Sequence, residues 1–152
     1  MQCVAFRLKM DNSEIEQVFS TKFLAVIINE NLIWGDHVHI PLNKISKNLG
    51  VIRKRSKSLP LDTLHTLYNT LVDPYLQYCT IAWATVNSSS VDKLFCMQKM
   101  AIRIITDNEW NSHTDNPFKN CNILKLADNS LQVGCFVYQV INGNIIFKIN
   151  NC

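Results

Sequence analysis

The chain has 152 residues, of which 47% are hydrophobic and 18% are charged, and its formal net charge is +3. This length fits one ordinary domain or two very small ones, and the apolar fraction excludes a wholly disordered chain. The longest apolar run, residues 23–28, is far shorter than the roughly 20 residues of a membrane span, so we expect no membrane partner. The first ten residues lack the apolar segment of a signal peptide, which argues against secretion.

The cysteines favour reduced thiols, since their spacings are wide and irregular and include no CxxC pair. We therefore expect an intracellular protein in which these residues act as small hydrophobic groups. His37 and His39 form an HxH pattern, but no cysteine pair stands near it with ligand spacing. The sequence predicts no metal site and no cofactor. The six cysteines are Cys3, Cys79, Cys96, Cys121, Cys135 and Cys152.

Residues 1–33 predict a small antiparallel β element. Phe6 and Leu8 alternate with basic residues, residues 11–13 are typical of a turn, and residues 15–18 alternate again. Residues 22–28 are rich in strand-forming types, and residues 29–31 close the segment. Because two or three short strands are unstable alone in water, helices must cover them.

The pattern changes to a helical period after residue 36, and residues 34–106 predict a helical unit. Pro41 either kinks the first helix or moves its start to about residue 40, and Leu59-Pro60 ends it. The buried stripe of this helix consists of Val38, Leu42, Ile45, Leu49 and Ile52.

Two further helices complete this unit. The second begins near Asp62, is bent or interrupted at Pro74 and resumes to Trp83. After a loop at residues 87–90, a third helix spans residues 91–106, with Gln98 as the one polar residue on its apolar face. We interpret Trp34, Tyr75, Tyr78 and Trp83 as packing residues.

Residues 107–152 predict an irregular loop to residue 120, a final helix at 128–140 and a short tail. In that helix we expect Leu131, Cys135, Phe136 and Val140 to face inward. The fold class is therefore mainly α with a small N-terminal antiparallel β element, a three-helix bundle and an appended C-terminal helix.

Positive charge is concentrated in residues 37–61, which contain no acidic residue. Such a segment is the usual footprint of a contact with nucleic acid, and a plain solvated helix face is the alternative. Trp34, Trp83 and Trp110 offer rings that can stack on bases, although core packing suits the first two better. The candidate phosphate contacts are Lys44, Lys47, Arg53, Lys54, Arg55 and Lys57.

Residue types predict no catalytic site. The acidic residues are scattered, with no adjacent pair of the kind that holds catalytic metal ions in polymerases and nucleases. No glycine-rich phosphate loop and no GxSxG elbow occur. We therefore expect no enzymatic activity from the chain by itself.

The order of several motifs resembles the reverse transcriptase of jockey-like non-LTR retrotransposons. The motifs are KFLAV at 22–26, NLIW at 31–34, LVDPYLQYC at 71–79 and QKMAIRIIT at 98–106, and the similarity covers roughly residues 7–143. The resemblance places the family's primer-grip segment FLG on Phe23, Leu24 and Ala25. It makes residues 34–106 a thumb-like bundle that holds an RNA–DNA or DNA duplex through the basic helix.

In that family the catalytic carboxylates lie upstream of these motifs. The resemblance thus implies a truncated, non-catalytic part of an RNA-directed DNA polymerase that lacks its palm and fingers domains and is nuclear if functional. Two departures from the family pattern are Ala25, where the family has glycine, and Pro41 within the first helix. A repurposed or decayed protein-interaction module without nucleic-acid binding is the alternative.

Overall fold

A computed structural model describes residues 8–11, 13–83 and 88–143. It confirms a mainly helical fold with a small N-terminal antiparallel β element. The four strands are β1 (Lys9–Met10), β2 (Ser13–Glu14), β3 (Ser20–Phe23) and β4 (Val26–Asn29). The helices in this part of the chain are α1 (Gly35–Arg55), α2 (Leu61–Leu71), α3 (Asp73–Gln77), α4 (Thr80–Trp83), α5 (Ser88–Ile105), α6 (Asp115–Asn120) and α7 (Leu126–Ile141).

The β element consists of two separate two-stranded hairpins. In the first, Lys9 pairs with Glu14, and in the second the register runs from Ser20↔Asn29 to Phe23↔Val26. The structure assigns no strand to the exposed residues 15–18, contrary to the prediction. They have no partner among the described strands, although the Ile15 N–H donates to the Leu8 carbonyl at 2.9 Å. Phe6 lies outside the described residues.

Helix α1 continues through its proline. It starts at Gly35, close to the predicted change of period at residue 36, and Pro41 is buried inside it, so the alternative start near residue 40 is wrong. Proline removes one helical hydrogen bond, but the rest of the 21-residue helix packs its apolar stripe into the core. Packing therefore outweighs the local preference for a break.

The predicted interruption at Pro74 is confirmed. Helix α2 ends at Leu71, and Pro74 lies in the first turn of α3, where a missing backbone N–H costs no helical bond. Helix α3 ends at Gln77 and α4 follows at Thr80.

Helices α1, α2 and α5 pack against one another and enclose the main core. The predicted stripe of α1 lies in it, except that Leu42 is only half-buried at its edge. Phe118 of α6 and Leu126 at the start of α7 close one end. The members of the core are Val38, Ile45, Leu49, Ile52, Leu64, Tyr68, Val72, Leu76, Leu94, Ala101, Ile102, Ile105, Phe118, Cys121 and Leu126.

Gln98 is buried, with 2% of its surface exposed, and both polar atoms of its side chain are hydrogen-bonded. Its amide nitrogen donates to the Tyr68 hydroxyl at 3.0 Å and to the Leu124 carbonyl at 2.9 Å. Its amide oxygen accepts from the Leu126 backbone N–H at 2.9 Å. Burial is the main cause that raises the pKa of Tyr68 above its usual value. The one polar residue on the face of α5 therefore joins α2, α5 and the start of α7.

The C-terminal part differs from its prediction in two respects. The loop predicted at 107–120 contains α6, whose Pro117 and Phe118 are buried. Helix α7 starts at Leu126, and its predicted inward face is wrong: Leu131 (67%), Cys135 and Phe136 are exposed and Val140 is half-buried. Asp128, Gln132 and Gln139 lie within about 40° of one another around α7, and the apolar arc that remains covers more than half of the helix. This arc is wider than the side that meets the bundle, so apolar spacing does not identify that side.

Four cysteines fall in the described part of the chain, and all four are free thiols. Cys121 is buried, and burial raises its pKa. Cys79, Cys96 and Cys135 are exposed, so the expectation that the cysteines serve as small core residues holds only for Cys121.

Candidate nucleic-acid interface

The six predicted phosphate contacts lie on α1 and just beyond it, and all six are exposed. At about 100° per residue, Lys44, Lys47, Lys54 and Arg55 fall within an arc of about 100° around the helix axis. They extend over about 16 Å along the axis, a length of about five base pairs at 3.4 Å each. We call these four residues the basic arc.

Arg53 and Lys57 do not belong to the basic arc. Arg53 points about 100° away from Lys54 around α1, and Lys57 follows the end of the helix. Both line a cleft together with Arg103 and Trp110. The structure therefore divides the predicted set into two groups on different sides of α1.

The basic arc is electrostatically uncompensated within the described residues. The structure records no ion pair between its four side chains and any described acidic group, whereas Lys125 pairs with Asp115 at 2.6 Å elsewhere in the chain. The one acidic residue of α1, Asp36, lies in its first turn. Cations in the last turn also favour the negative end of the helix dipole, which gives Lys54 and Arg55 a structural role besides any binding role.

The primer-grip-like segment forms the tip of the second hairpin. Phe23 pairs with Val26, so Leu24 and Ala25 make up a two-residue turn. Both have positive φ, 45° for Leu24 and 63° for Ala25, as a type I′ turn requires at both central positions. Glycine and asparagine adopt this conformation readily, whereas leucine and alanine do not. A glycine at residue 25 would therefore be less strained than Ala25.

Two contacts attach this hairpin to the helical bundle. The Tyr78 hydroxyl donates to the Leu24 carbonyl at 2.5 Å. The Ile27 backbone N–H donates to Nδ1 of His37, at 3.4 Å, in the first turn of α1. His37 is buried, and burial lowers its pKa below the usual value. Since a protonated Nδ1 cannot accept a hydrogen bond, the Ile27 contact requires neutral His37.

The hairpin and the basic arc lie on the same side of α1. His37, which meets the hairpin, precedes Lys44 by seven residues, a separation of about two turns and about 10 Å along the axis. Phe23, Leu24 and Ala25 are exposed at the tip. The structure therefore brings the two predicted contact groups, the hairpin tip and the basic arc, to one side of the molecule.

An open apolar cleft of about 380 Å³ lies where the hairpin tip meets the helices, lined among others by Ala25, Pro41, Tyr75 and Tyr78. Tyr75 and Tyr78 were predicted as packing residues, and neither is buried: Tyr75 is 36% and Tyr78 47% exposed. Both line this cleft. Trp34 packs against the edge of the core as predicted. The side chain of Trp83 lies outside the described residues.

Sequence reasoning missed two features of this region. Arg103 was overlooked because it lies outside the acid-free segment, although it is the basic residue of the last turn of α5. The contact between Tyr78 and Leu24 joins residues 54 positions apart, and no local pattern indicates it. The described residues contain no group of three or more metal-ligating side chains.

None of the described helices combines the length and apolar character needed to cross a bilayer. Comparison of the chain with protein-family models, curated proteins and solved structures finds no match.

Proposed function

We propose that the chain is a thumb-like, duplex-binding part of a reverse transcriptase of the jockey-like non-LTR type, without catalytic activity of its own. The observation that carries this proposal is the basic arc, which lies beside the hairpin tip and pairs with no described acidic group. An RNA–DNA or DNA duplex laid along α1 would bring its phosphates to Lys44, Lys47, Lys54 and Arg55. The hairpin tip would then face the end of one strand.

The expected binding is salt-dependent and independent of sequence. Each phosphate contact releases about 0.9 counterion equivalents from a duplex, so four contacts lower the affinity about 150-fold between 50 and 200 mM salt. Lysine and arginine contacts of this kind position a protein on the backbone but do not read bases.

Fluorescence anisotropy with a labelled RNA–DNA duplex tests the proposal. Lys47→Gln with Lys54→Gln removes two contacts, and we expect a loss of affinity of about 60-fold at 100 mM salt. The matched control is Lys93→Gln with Lys119→Gln, which removes the same charge from exposed positions off the arc. Equal losses in the two double variants would contradict the proposal, since binding would then depend on net charge alone.

The absence of catalysis is tested separately. No two acidic residues are adjacent in the sequence, and polymerases hold their metal ions with clustered carboxylates. We expect a primer-extension assay with Mg²⁺ or Mn²⁺ to show no incorporation above background. Template-directed incorporation by the purified chain would contradict this part of the proposal.

A protein-interaction module is the second candidate, and the outer face of α7 favours it. Leu131 (67%), Tyr138 (67%) and Ile141 (78%) are exposed there. Apolar surface of this kind is typical of association sites. Light scattering after size exclusion tests the candidate: a larger species that Leu131→Ser with Ile141→Ser returns to the monomer supports it. A monomer at all concentrations, together with duplex binding, would exclude self-association.

A further inference from the structure

A second basic site lies on the flank of α1 that does not carry the basic arc. It is a cleft of about 220 Å³ between the carboxyl ends of α1 and α5. Three cations line it, Arg53, Lys57 and Arg103, against one acidic residue, Asp107. The cleft therefore has an excess of positive charge, and Trp110 forms part of its wall.

Trp110 is 74% exposed, yet the turn that carries it is held in place. The backbone N–H of Ser112 donates to the Glu109 carbonyl at 3.1 Å, and its hydroxyl donates to the same oxygen at 2.7 Å. Arg103 donates from Nε and Nη2 to the Ser112 carbonyl at 3.1 and 3.0 Å. These bonds hold the backbone that carries Trp110, and its exposed ring lines the cleft beside the cations.

We infer that this cleft binds one unpaired nucleotide of a single-stranded extension, with the base stacked on Trp110 and the phosphate held by Arg53 and Lys57. An exposed aromatic ring beside basic groups is how proteins hold single strands without reading their sequence. The volume is below the roughly 300–1,000 Å³ of sites for drug-sized ligands, so it suits a single base. Arg103 both fixes the turn and contributes charge.

This inference rests on the proposed function and adds a site for unpaired nucleic acid to the proposed site for a duplex. Arg53 lies about 150° around the helix axis from the middle of the basic arc, so one straight duplex laid against the arc does not contact both groups. The basic arc would hold paired nucleic acid, and the cleft would hold the unpaired nucleotide beyond the end of the duplex. The preferred substrate is thus a duplex with a single-stranded overhang.

The test compares a blunt RNA–DNA duplex with the same duplex carrying a four-nucleotide overhang. For the natural chain we expect the overhang to increase affinity about 5- to 10-fold, the lower part of the range for stacking one base. Trp110→Ala should remove this gain and leave blunt-duplex affinity unchanged, whereas Trp110→Phe should retain most of it. Lys47→Gln with Lys54→Gln should weaken both substrates equally. Because Trp110 is exposed, we expect Trp110→Ala to melt at the same temperature as the natural chain.

Three results would overturn the inference: no gain from the overhang, equal losses on both substrates with Trp110→Ala, or an unchanged gain when Arg53 and Lys57 are both replaced by glutamine. Competition by a free mononucleotide, at the same concentration as the duplex with the overhang, would also overturn the inference, since it would assign the cleft to a free nucleotide. Binding of a single-stranded oligonucleotide that depends on Trp110, without duplex binding, would overturn the proposed function and support the cleft.

Discussion

Replacing Gln98 by leucine tests how the C-terminal part is attached to the bundle. The change keeps a side chain of similar length on the buried face of α5 but removes both the amide donor and the amide acceptor. The Leu126 backbone N–H loses its partner at the start of α7, where no helical carbonyl is available to replace it. The Leu124 carbonyl and the Tyr68 hydroxyl each lose a donor.

The size of the effect follows from these three bonds. A buried polar group without a partner costs about 1–3 kcal/mol, so the buried Leu126 N–H and the buried Tyr68 hydroxyl together cost about 4 kcal/mol. The Leu124 carbonyl adds little, because its residue is 51% exposed and the carbonyl can bond to water. The buried leucine offsets about 1–2 kcal/mol of this, since its side chain is more favourable in the core than an amide. We expect Gln98→Leu to lower the free energy of unfolding by about 2–3 kcal/mol, a large share of the roughly 5–15 kcal/mol typical of a domain.

Urea unfolding followed by circular dichroism measures this change, and hydrogen exchange at the Leu126 amide locates it. Gln132→Leu, the same substitution at an exposed position of α7, is the matched control and should change stability by less than about 0.5 kcal/mol. A loss below about 0.5 kcal/mol for Gln98→Leu would show that these bonds do not hold α7 to the bundle.

Two further predictions concern the hairpin. Ala25→Gly should slow hydrogen exchange across β3 and β4, because glycine adopts the positive φ at residue 25 without strain. The expected gain in the stability of the hairpin is about 0.5–1 kcal/mol, after the larger entropy of glycine in the unfolded chain is subtracted. Faster exchange would refute the assigned turn. Since the pKa of His37 is lowered, its contribution to stability is present above its usual pKa of 6.5 and is lost as the pH falls through the lowered value. The free energy of unfolding should therefore decline in acid, and His37→Gln should flatten this decline. The control His39→Gln, at an exposed position, should leave the decline unchanged. Identical pH profiles of stability for the two variants would contradict the reasoning.

Much of the helical bundle could be predicted because its helices each bury one face. The stripe from Val38 to Ile52 repeats with the helical period and does lie in the core of the structure. Pro74 could be read as an interruption because proline suits the first turn of a new helix. Pro41 left two alternatives for α1, and the structure has the one in which the helix continues through the proline, since burial of the whole stripe outweighs one lost hydrogen bond.

Other parts of the fold could not be predicted from local patterns. The apolar arc of α7 covers more than half of the helix, so its spacing does not identify which part of the arc meets the bundle. Residues 15–18 alternate like a strand but find no partner among the described strands. The hydrogen bonds of Gln98 depend on residues 26 to 30 positions away, and only the tertiary structure brings them together.

The candidate site was predicted in its residue types but not in its arrangement. The absence of acidic residues from 37–61 singled out the six basic residues in the sequence. Their separation into the basic arc and the residues that line the cleft follows from the rotation of the helix between Arg53 and Lys54. The positive φ of Ala25, which glycine would adopt with less strain, follows from the two-residue turn between β3 and β4. The orientation of the hairpin toward the basic side depends on the distant contact of Tyr78 with Leu24.

The most direct test of the central claim is the salt dependence of binding to an RNA–DNA duplex. If the four residues of the basic arc each contact a phosphate, the plot of log K against log salt concentration has a slope of about −3.6. Lys47→Gln with Lys54→Gln should reduce its magnitude by about 1.8, while Lys93→Gln with Lys119→Gln leaves it unchanged. A slope near zero, or the same slope in all three proteins, would contradict a duplex-binding role for the basic arc.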